Sequence, residues 1–354
     1  MSELRNRKDI MGESINSGCV VQIECEMKPE VTILRLDTIE LHYWLNDGSH
    51  TMDAYIFNRC EHEFLGIINE VTTKLKIQVD VEVEPLGEGG IRAWFKFAKK
   101  NEKAIKVAFL VYLLTQVLLT PLTTALEYTT QKALEYIFED RELKELLEEK
   151  KKEELKQEII KIKAETERLC DSIDENKIKK KRSNYYEEAS KCRKIEKITV
   201  NATDADKTPD LISHDILATE FKQYIMTSDD LEPDCDDNAT IEIISPVQKK
   251  GKYQRLGIYS GGVIQFKMKS DEFKNMVMTG QVPFKNGSSI VCQLVTSKKI
   301  DSQGDVKVTG YEVTKVYEFF ENDTPIETPE GRHKRQKKEA EKNQMELFNS
   351  EDFN

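Results

Sequence analysis

The sequence contains none of the short motifs that mark common catalytic centres. Neither HExxH, GxSxG, a phosphate-binding GxxxxGK[ST] loop nor a protein-kinase signature occurs, and the five histidines are spread too thinly to suggest a triad. These absences argue against the familiar enzyme classes. We therefore predict no catalytic residue and no cofactor, and an enzyme of unrecognised type stays open only as a third hypothesis.

Cysteine chemistry is also sparse. The seven cysteines are scattered, their number is odd, and no CxxC pair is present. A zinc site needs clustered Cys and His ligands, and nothing completes a set around Cys60 and His62. We expect free thiols in a reducing cytoplasm and no metal site.

A secretory signal and a bulk positive charge are both missing. Residues 1–18 are polar and charged, without the apolar run of a signal peptide, so we expect this end to lie inside the cell. The formal net charge is −11, which does not favour nucleic-acid binding by the protein as a whole. With 354 residues the chain is long enough for two or three small domains.

The first 103 residues predict a small α/β domain. Residues 32–44 have the apolar content and length of a strand, and Asp53 is placed to cap the helix that follows. Residues 76–84 alternate between apolar and polar side chains, and residues 91–97 form a second strand-like run.

The most informative segment is one without charge. Residues 107–126, VAFLVYLLTQVLLTPLTTAL, contain no charged side chain, and about twenty apolar residues suffice for a helix to cross a bilayer. Lysines crowd its N-terminal side, as expected next to an anionic cytoplasmic leaflet. We predict a transmembrane or membrane-inserted helix over residues 104–126, and the alternative is a buried central helix.

Polar side chains interrupt this segment. In an oligomer they would face a watery lumen, because lipid cannot satisfy them. The predicted pore-lining residues are Thr115, Gln116, Thr120, Thr123 and Thr124. The alternative is that the threonines bond back to their own helix. Whether the segment spans the membrane or re-enters at Pro121 is left open.

Residues 127–200 predict a long, charged helical region. Leu155, Ile159, Ile162, Thr166, Leu169 and Ile173 follow the heptad spacing of a coiled coil, which is typical of assembly or spacing. The basic run at residues 177–182 is either a solvated surface or a contact with lipid headgroups or nucleic-acid phosphates. Residues 201–240 are acidic and broken, and they predict a linker with one short helix.

Residues 241–320 predict a β-rich barrel or sandwich, because short strands alternate with glycine and Asx turns. Twelve Lys and Arg against seven Asp and Glu give this stretch a charge of +5. Phosphate binding needs positive charge and base stacking needs a ring. The predicted ligand-binding residues are Lys249, Lys250, Lys252, Tyr253, Arg255, Lys267 and Lys269. The alternative is a lysine-rich hairpin in water, and residues 321–354 predict a disordered tail.

The order of these parts, together with the stretches KKKRSNYYE and IEIISPVQKKGKYQRLGIYSGGVIQFKMKSDEF, resembles a group of bacterial membrane proteins. They are similar to the membrane effectors of anti-phage defence systems, including the channel subunit of Hailong-type systems. The resemblance covers about residues 100–325. It implies an oligomeric channel in the bacterial inner membrane, with mainly cytoplasmic domains, opened by a nucleotide-derived signal from a partner nucleotidyltransferase. It transfers no functional residue, since no motif position anchors it.

These patterns together predict an α+β protein. Its parts are a small α/β domain, one hydrophobic membrane-type helix, a charged coiled-coil helix and a C-terminal β-rich barrel or sandwich module. The main hypothesis is a homo-oligomeric membrane effector, an ion channel or pore gated by an anionic nucleotide or oligonucleotide on the β module. The alternative is a soluble coiled-coil adaptor that oligomerises and recruits protein partners.

Overall fold

A computed structural model describes residues 35–84, 91–99, 102–139, 144, 153–207, 212–245, 254–283, 287–321 and 324–351. Within these ranges the buried apolar side chains form two clusters, one between Leu36 and Tyr224 and one between Ala239 and Phe319. Two separate cores indicate two folding units. We call them the N-terminal unit and the barrel unit.

The N-terminal unit is built on a five-stranded antiparallel sheet with β1 (Thr38–Leu45) in its centre. The strand order is β2-β3-β1-β4-β5. The other strands are β2 (Val79–Glu84), β3 (Ile91–Lys99), β4 (Ile195–Thr203) and β5 (Ile212–Leu217). In β1 the side chains of Ile39, Leu41 and Tyr43 are fully buried on one face, as the period of two in a strand requires.

Within the described residues, five helices belong to this unit. They are α1 (Ala54–Leu75), α2 (Ala104–Leu119), α3 (Leu126–Phe138), α4 (Glu153–Cys170) and α5 (Glu175–Lys191). The predicted cap of α1 is confirmed, because the Asp53 carboxylate accepts the N–H groups of Tyr55 and Ile56 at 2.8 and 3.1 Å. A short 3₁₀ helix, Ala218–Gln223, follows β5.

The helix α2 lies in the centre of the N-terminal core. Its 16 residues span about 24 Å, whereas the hydrocarbon core of a bilayer is about 30 Å thick. It packs on the sheet and against α1, α3 and α5, and eleven of its residues are buried. A helix covered by protein on all sides is apolar on all sides. Since none of the described helices is long and apolar enough to span a bilayer, the predicted membrane-type helix over residues 104–126 is wrong.

The uncharged run holds the end of one helix and the start of another. α2 ends two residues before Pro121, and α3 begins after a turn. Side chains from elsewhere donate to the last three carbonyls of α2: Arg182 Nη1 to Val117 O at 2.9 Å, the Tyr186 hydroxyl to Leu118 O at 2.9 Å, and the Tyr224 hydroxyl to Leu119 O at 3.2 Å. A buried helix end needs such partners, because its last carbonyls have none within the helix.

The heptad-like seam of α4 faces the chain's own core. Ile162 and Thr166 are buried, and Ile159, Leu169 and Ile173 pack at the edge of the N-terminal core. The helix lies against α1 and α3. The same spacing suits an amphipathic helix on a globular core, so the predicted coiled-coil helix is replaced by packing within the chain.

The barrel unit closes five strands around the second core. Its strands are β6 (Asp230–Ser245), β7 (Gln254–Tyr259), β8 (Gly262–Met268), β9 (Ser289–Ile300) and β10 (Val306–Glu321), with β11 (Thr324–Glu327) added to β10. They pair in the order β6-β7-β8-β10-β9-β6; β8 and β10 are parallel and the other pairs antiparallel. The helix α6 (Asp271–Met278) lies between β8 and β9. This is the arrangement of the OB-fold barrel.

The first barrel strand begins within the predicted linker. β6 starts at Asp230, and its N-terminal half contains the acidic residues between 230 and 237. Such residues are disfavoured in strands, which explains the prediction of an acidic linker over residues 201–240. Two of them pair across to β9, where Lys298 contacts Asp234 and Lys299 Nζ lies 3.1 Å from Asp230.

A helix follows the barrel in the segment predicted to be disordered. α7 (Pro329–Glu351) packs on β10. The Glu330 carboxylate accepts the Ser270 hydroxyl at 2.9 Å and the N–H of Val316 at 2.6 Å. The Lys334 ammonium lies 3.7 Å from the centre of the Tyr317 ring. These docking contacts hold the first turns of a segment whose composition alone would not bury enough apolar surface.

One end of the barrel rests on α5. The turn between β9 and β10 contacts this helix: Lys177 Nζ lies 2.8 Å from Asp305 Oδ1, and Asn184 Nδ2 donates to Ser302 O at 3.2 Å. Gly304 has a φ of +89°, and a Cβ atom there would lie 2.9 Å from the Cα of Lys177. This close approach requires glycine.

The basic run at residues 177–182 is used within the protein. Lys179 pairs with Glu175 at 2.6 Å, Lys180 pairs with Asp229 at 2.6 Å, and Arg182 lies against the end of α2. Burial lowers the pKa of Arg182 to about 10, which leaves it charged at neutral pH. Lys177, Lys180 and Arg182 of this run therefore contact other elements of the fold.

Candidate nucleic-acid interface

The outer face of β7 and β8 is the candidate binding face of the barrel unit. Ser260 and Gly261 join the two strands, and both have positive φ, as a two-residue hairpin turn of type I′ requires. Cross-strand pairs on the outer face are Ile258 with Val263, Leu256 with Gln265 and Gln254 with Lys267. The face is thus apolar near the turn and polar at the other end.

This face is exposed although it carries large apolar side chains. Val263 is 64% exposed, and Ile244 on the neighbouring β6 is 46% exposed. The helix α7 packs on β10 and does not contact β7 or β8 closely. Exposed apolar side chains grouped on one face mark a contact surface. In OB-fold barrels the second and third strands and the connection between the first two bind oligonucleotides or oligosaccharides.

The predicted ligand-binding residues fall into three groups. Lys249, Lys250, Lys252 and Tyr253 connect β6 to β7 and lie outside the described residues. Lys267, which pairs across from Gln254, and Lys269 are exposed, and their ammonium groups lie 3.4 and 3.8 Å from Glu312 Oε1. Arg255 is only 7% exposed, and burial lowers the pKa of its guanidinium. The structure therefore places Lys267 and Lys269 at the candidate face and Arg255 beneath it.

The positive charge predicted for this module disappears when the whole barrel is counted. Residues 230–321 contain twelve Lys and Arg and thirteen Asp and Glu, a net charge of −1. Five of the six added carboxylates lie in the acidic half of β6, which pairs with the lysines of β9, and the sixth is Glu321. Local charge near the β6–β7 connection, and not bulk charge, has to attract a polyanion.

Tyr259, which precedes the turn between β7 and β8, has a structural partner. The Tyr259 hydroxyl donates to Asp236 Oδ2 at 2.8 Å, and this bond, together with burial, raises the pKa of Tyr259. At neutral pH its hydroxyl stays a donor that ties β7 to β6.

A groove of about 670 Å³ lies between α7, α6 and the outer side of β9 and β10. Its lining includes the basic Lys315, Lys334, Lys337 and Lys338, the acidic Asp237, Asp271, Glu272, Glu330 and Glu341, and the ring of Tyr317. The lining carries both signs of charge, and several of its groups are paired: Lys334 donates to Asp237 O at 2.6 Å, and Glu330 accepts two bonds. This groove matches a polyanion less well than the open face of β7 and β8.

The predicted pore-lining residues occupy the N-terminal core and the turn that follows α2. Thr115 donates to Val111 O at 2.8 Å and Thr120 to Gln116 O at 2.7 Å, which is the back-bonding that was the alternative to a pore. Thr123 and Thr124 lie in the turn between α2 and α3. The structure does not bring these side chains together around a channel axis within one chain.

The apolar part of the candidate face was missed by sequence reasoning. The alternation in GVIQFKM places Val263, Gln265 and Lys267 on one side of β8 and three buried side chains on the other. This alternation is visible in the sequence, but the predicted site was chosen by charge, so it includes the lysines and not Val263.

The comparisons with known proteins give no relative. No family model matches the chain, no curated protein matches it, and no solved structure matches it. The description of the barrel therefore rests on its own strand pairing. Within the described part of the chain, no group of three His, Cys, Asp or Glu side chains could hold a metal ion.

Proposed function

We propose that the protein binds single-stranded oligonucleotides through the outer face of β7 and β8 and the lysine-bearing connection between β6 and β7. The observation that carries this proposal is the strand pairing of the barrel. It assigns a binding role to two particular strands, whose outer face carries the exposed Val263 and the half-buried Leu256 and Ile258, and no described helix packs closely on them.

The chemistry of the face suits a flexible polyanion. Ile258, Val263 and Leu256 offer an apolar surface to unstacked bases and sugars, while Gln254 and Gln265 offer amides for their polar edges. Lys249, Lys250 and Lys252 in the β6–β7 connection, together with Lys267 and Lys269, supply the positive charge that phosphates need.

The turn between β9 and β10 is not free to bind the oligonucleotide, because it contacts the N-terminal unit. The turn between β9 and β10, which in this fold borders the ligand, contacts α5 through Asp305 and Ser302. A ligand that reaches this turn would disturb its contact with the N-terminal unit. The protein is therefore proposed to be a binding module coupled to a second unit, and not an enzyme.

Titration of the full chain with a fluorescent single strand of about 12 nucleotides tests the proposal. Anisotropy should report binding whose log K falls with log salt concentration by about 0.7 per phosphate contact. Replacing Lys249, Lys250 and Lys252 by alanine should reduce that slope by about 2. The charge-matched control replaces the exposed Lys315, Lys337 and Lys338, which lie on β10 and α7, and should leave the slope unchanged.

A second variant tests the apolar part of the face. Val263→Asp places a carboxylate in the centre of the exposed surface, where 64% exposure lets the barrel fold around it. We expect a loss of affinity of about tenfold or more at moderate salt. Wild-type affinity in both the lysine variant and Val263→Asp would reject this face as the site.

A further inference from the structure

The two ends of the candidate oligonucleotide face are formed by different parts of the barrel. At one end lies the β6–β7 connection with its lysines, next to Gln254 at the start of β7. At the other end lies the turn of Ser260 and Gly261 between β7 and β8. A nucleic-acid strand that follows β7 and β8 therefore runs between the connection end and the turn end of the face.

The turn between β9 and β10 lies at the turn end as well. β8 and β10 are parallel, with Phe266 opposite Tyr311, so both strands begin at the same end of the barrel. β6 also begins there, because it is antiparallel to β9 and its Asp230 lies opposite Lys299, near the end of β9. The turn end of the face is therefore also the end at which β6 and β10 start.

The helix α5 contacts both of these strand starts. Lys177 Nζ lies 2.8 Å from Oδ1 of Asp305, in the turn that precedes β10. About one helical turn further along α5, Lys180 Nζ lies 2.6 Å from Oδ1 of Asp229, the residue directly before β6. Contacts at two different strands place α5 across this end of the barrel.

The contact is close and involves the backbone of the helix. A Cβ atom on Gly304 would lie 2.9 Å from the Cα of Lys177, and Asn184 Nδ2 donates to Ser302 O at 3.2 Å. The helix is fixed on its other side, where Tyr186 is fully buried in the N-terminal core. A packed helix, and not a mobile side chain, therefore stands at the turn end.

We propose, on the basis of the oligonucleotide function proposed above, that α5 closes the turn end of the face and that the ligand is the terminus of a single strand. An internal segment continues in both directions, so it has to pass α5 or displace its contacts with the barrel. A terminus stops before α5, and the rest of its strand leaves over the lysine-bearing connection, where positive charge meets its phosphates.

The length of the face sets how much of the terminus it holds. β7 has six residues, which span about 20 Å. At about 3.4 Å per stacked nucleotide, this distance corresponds to about six nucleotides. Barrels of this fold bind about 4–16 nucleotides, so the face suits a short terminal stretch.

Competition between linear and circular strands tests the proposal. The full chain is saturated with the fluorescent linear strand of about 12 nucleotides, and unlabelled oligothymidine of about 60 nucleotides is added as a linear strand or as a closed circle. We expect the linear strand to compete at least about tenfold better than the circle. Equal competition would overturn the inference, because a circle offers internal segments only.

Two uncharged substitutions test whether α5 is the barrier. Gly304→Ala acts from the barrel side and Asn184→Ala from the helix side, and both loosen the contact without changing the charge. Each should improve competition by the circle about threefold and leave competition by the linear strand unchanged. The control is Gly310→Ala, whose Cβ atom meets open space and which should behave as wild type.

The outcomes separate this inference from the proposed function. If the labelled strand is not bound at all, the oligonucleotide site fails and the inference fails with it. If the strand is bound and the circle competes as well as the linear strand, only the closure by α5 is rejected. Closure by α5 is also rejected if wild type prefers the linear strand and both loosened variants keep the full preference.

Discussion

Removing the hydroxyl group of Tyr186 tests the conclusion that α2 ends inside the protein. Tyr186 is fully buried and donates to Leu118 O at 2.9 Å, and burial raises its pKa well above the usual range, so it stays a donor. Tyr186→Phe keeps the ring and leaves this carbonyl without its partner. An orphaned buried carbonyl costs about 1–3 kcal/mol. For a unit of this size, a loss of ~2 kcal/mol lowers the melting temperature by about 4–8 °C.

Two matched variants make the result specific. Tyr224→Phe removes the bond to Leu119 O, which is longer at 3.2 Å and less deeply buried, so we expect about half the loss. Tyr55 is 81% exposed, and Tyr55→Phe should change stability by less than about 0.5 kcal/mol. Urea unfolding followed by circular dichroism measures all three. If Tyr186→Phe were as stable as Tyr55→Phe, the carbonyl at the end of α2 would not depend on that hydroxyl.

Three further predictions concern the barrel and the buried thiols. Gly331→Ala brings a Cβ atom against a carbonyl oxygen of β10 and should detach α7, which would be cleaved faster by a protease. The control is Gly310→Ala, whose Cβ atom meets open space and should leave α7 in place. Equal cleavage of the two variants would contradict the packing of α7 on β10. Burial raises the pKa of Cys60 to about 12, so at pH 8 it should resist alkylation while exposed Cys235 reacts, and equally fast labelling in the native protein would refute this. The bond from Lys307, helped by backbone N–H groups, lowers the pKa of Asp301 to about 2; its contribution to stability is therefore present above about pH 4 and lost towards pH 2. Asp301→Asn should then be less stable than wild type at pH 6 by urea unfolding, with the gap closing at pH 2, and a constant gap would contradict that origin.

Local patterns predicted the parts of the fold that local physics decides. The cap at Asp53 and the turn at Ser260 depend on a few neighbouring residues. The barrel strands from Gly262 onwards show a clear alternation, and closure of short antiparallel strands was one of the predicted solutions.

The membrane-type helix could not be distinguished from a core helix by its own sequence. An apolar helix is stable in lipid or under protein, and only the other elements decide which. Here the partners that end α2 lie far along the chain, at Arg182, Tyr186 and Tyr224. Pro121 was the local sign that the run is divided between two helices.

Two predictions that rested on charged residues, the acidic linker before the barrel and the disordered tail after it, were wrong. The acidic half of β6 was assigned to a linker because its residues disfavour strands, yet pairing with Lys298 and Lys299 of β9 holds it in the sheet. The segment after β11 was predicted to be disordered from composition, yet Glu330 docks it on the barrel. In both cases the stabilising partner is distant in sequence.

Hydrogen exchange of the full chain with a single strand of about 12 nucleotides tests the central claim most directly. The account predicts slower exchange over β7 and β8, residues 254–268, with no change in α2. Protection confined to the N-terminal sheet, or no protection in the barrel at saturating ligand, would contradict the assignment of the oligonucleotide site.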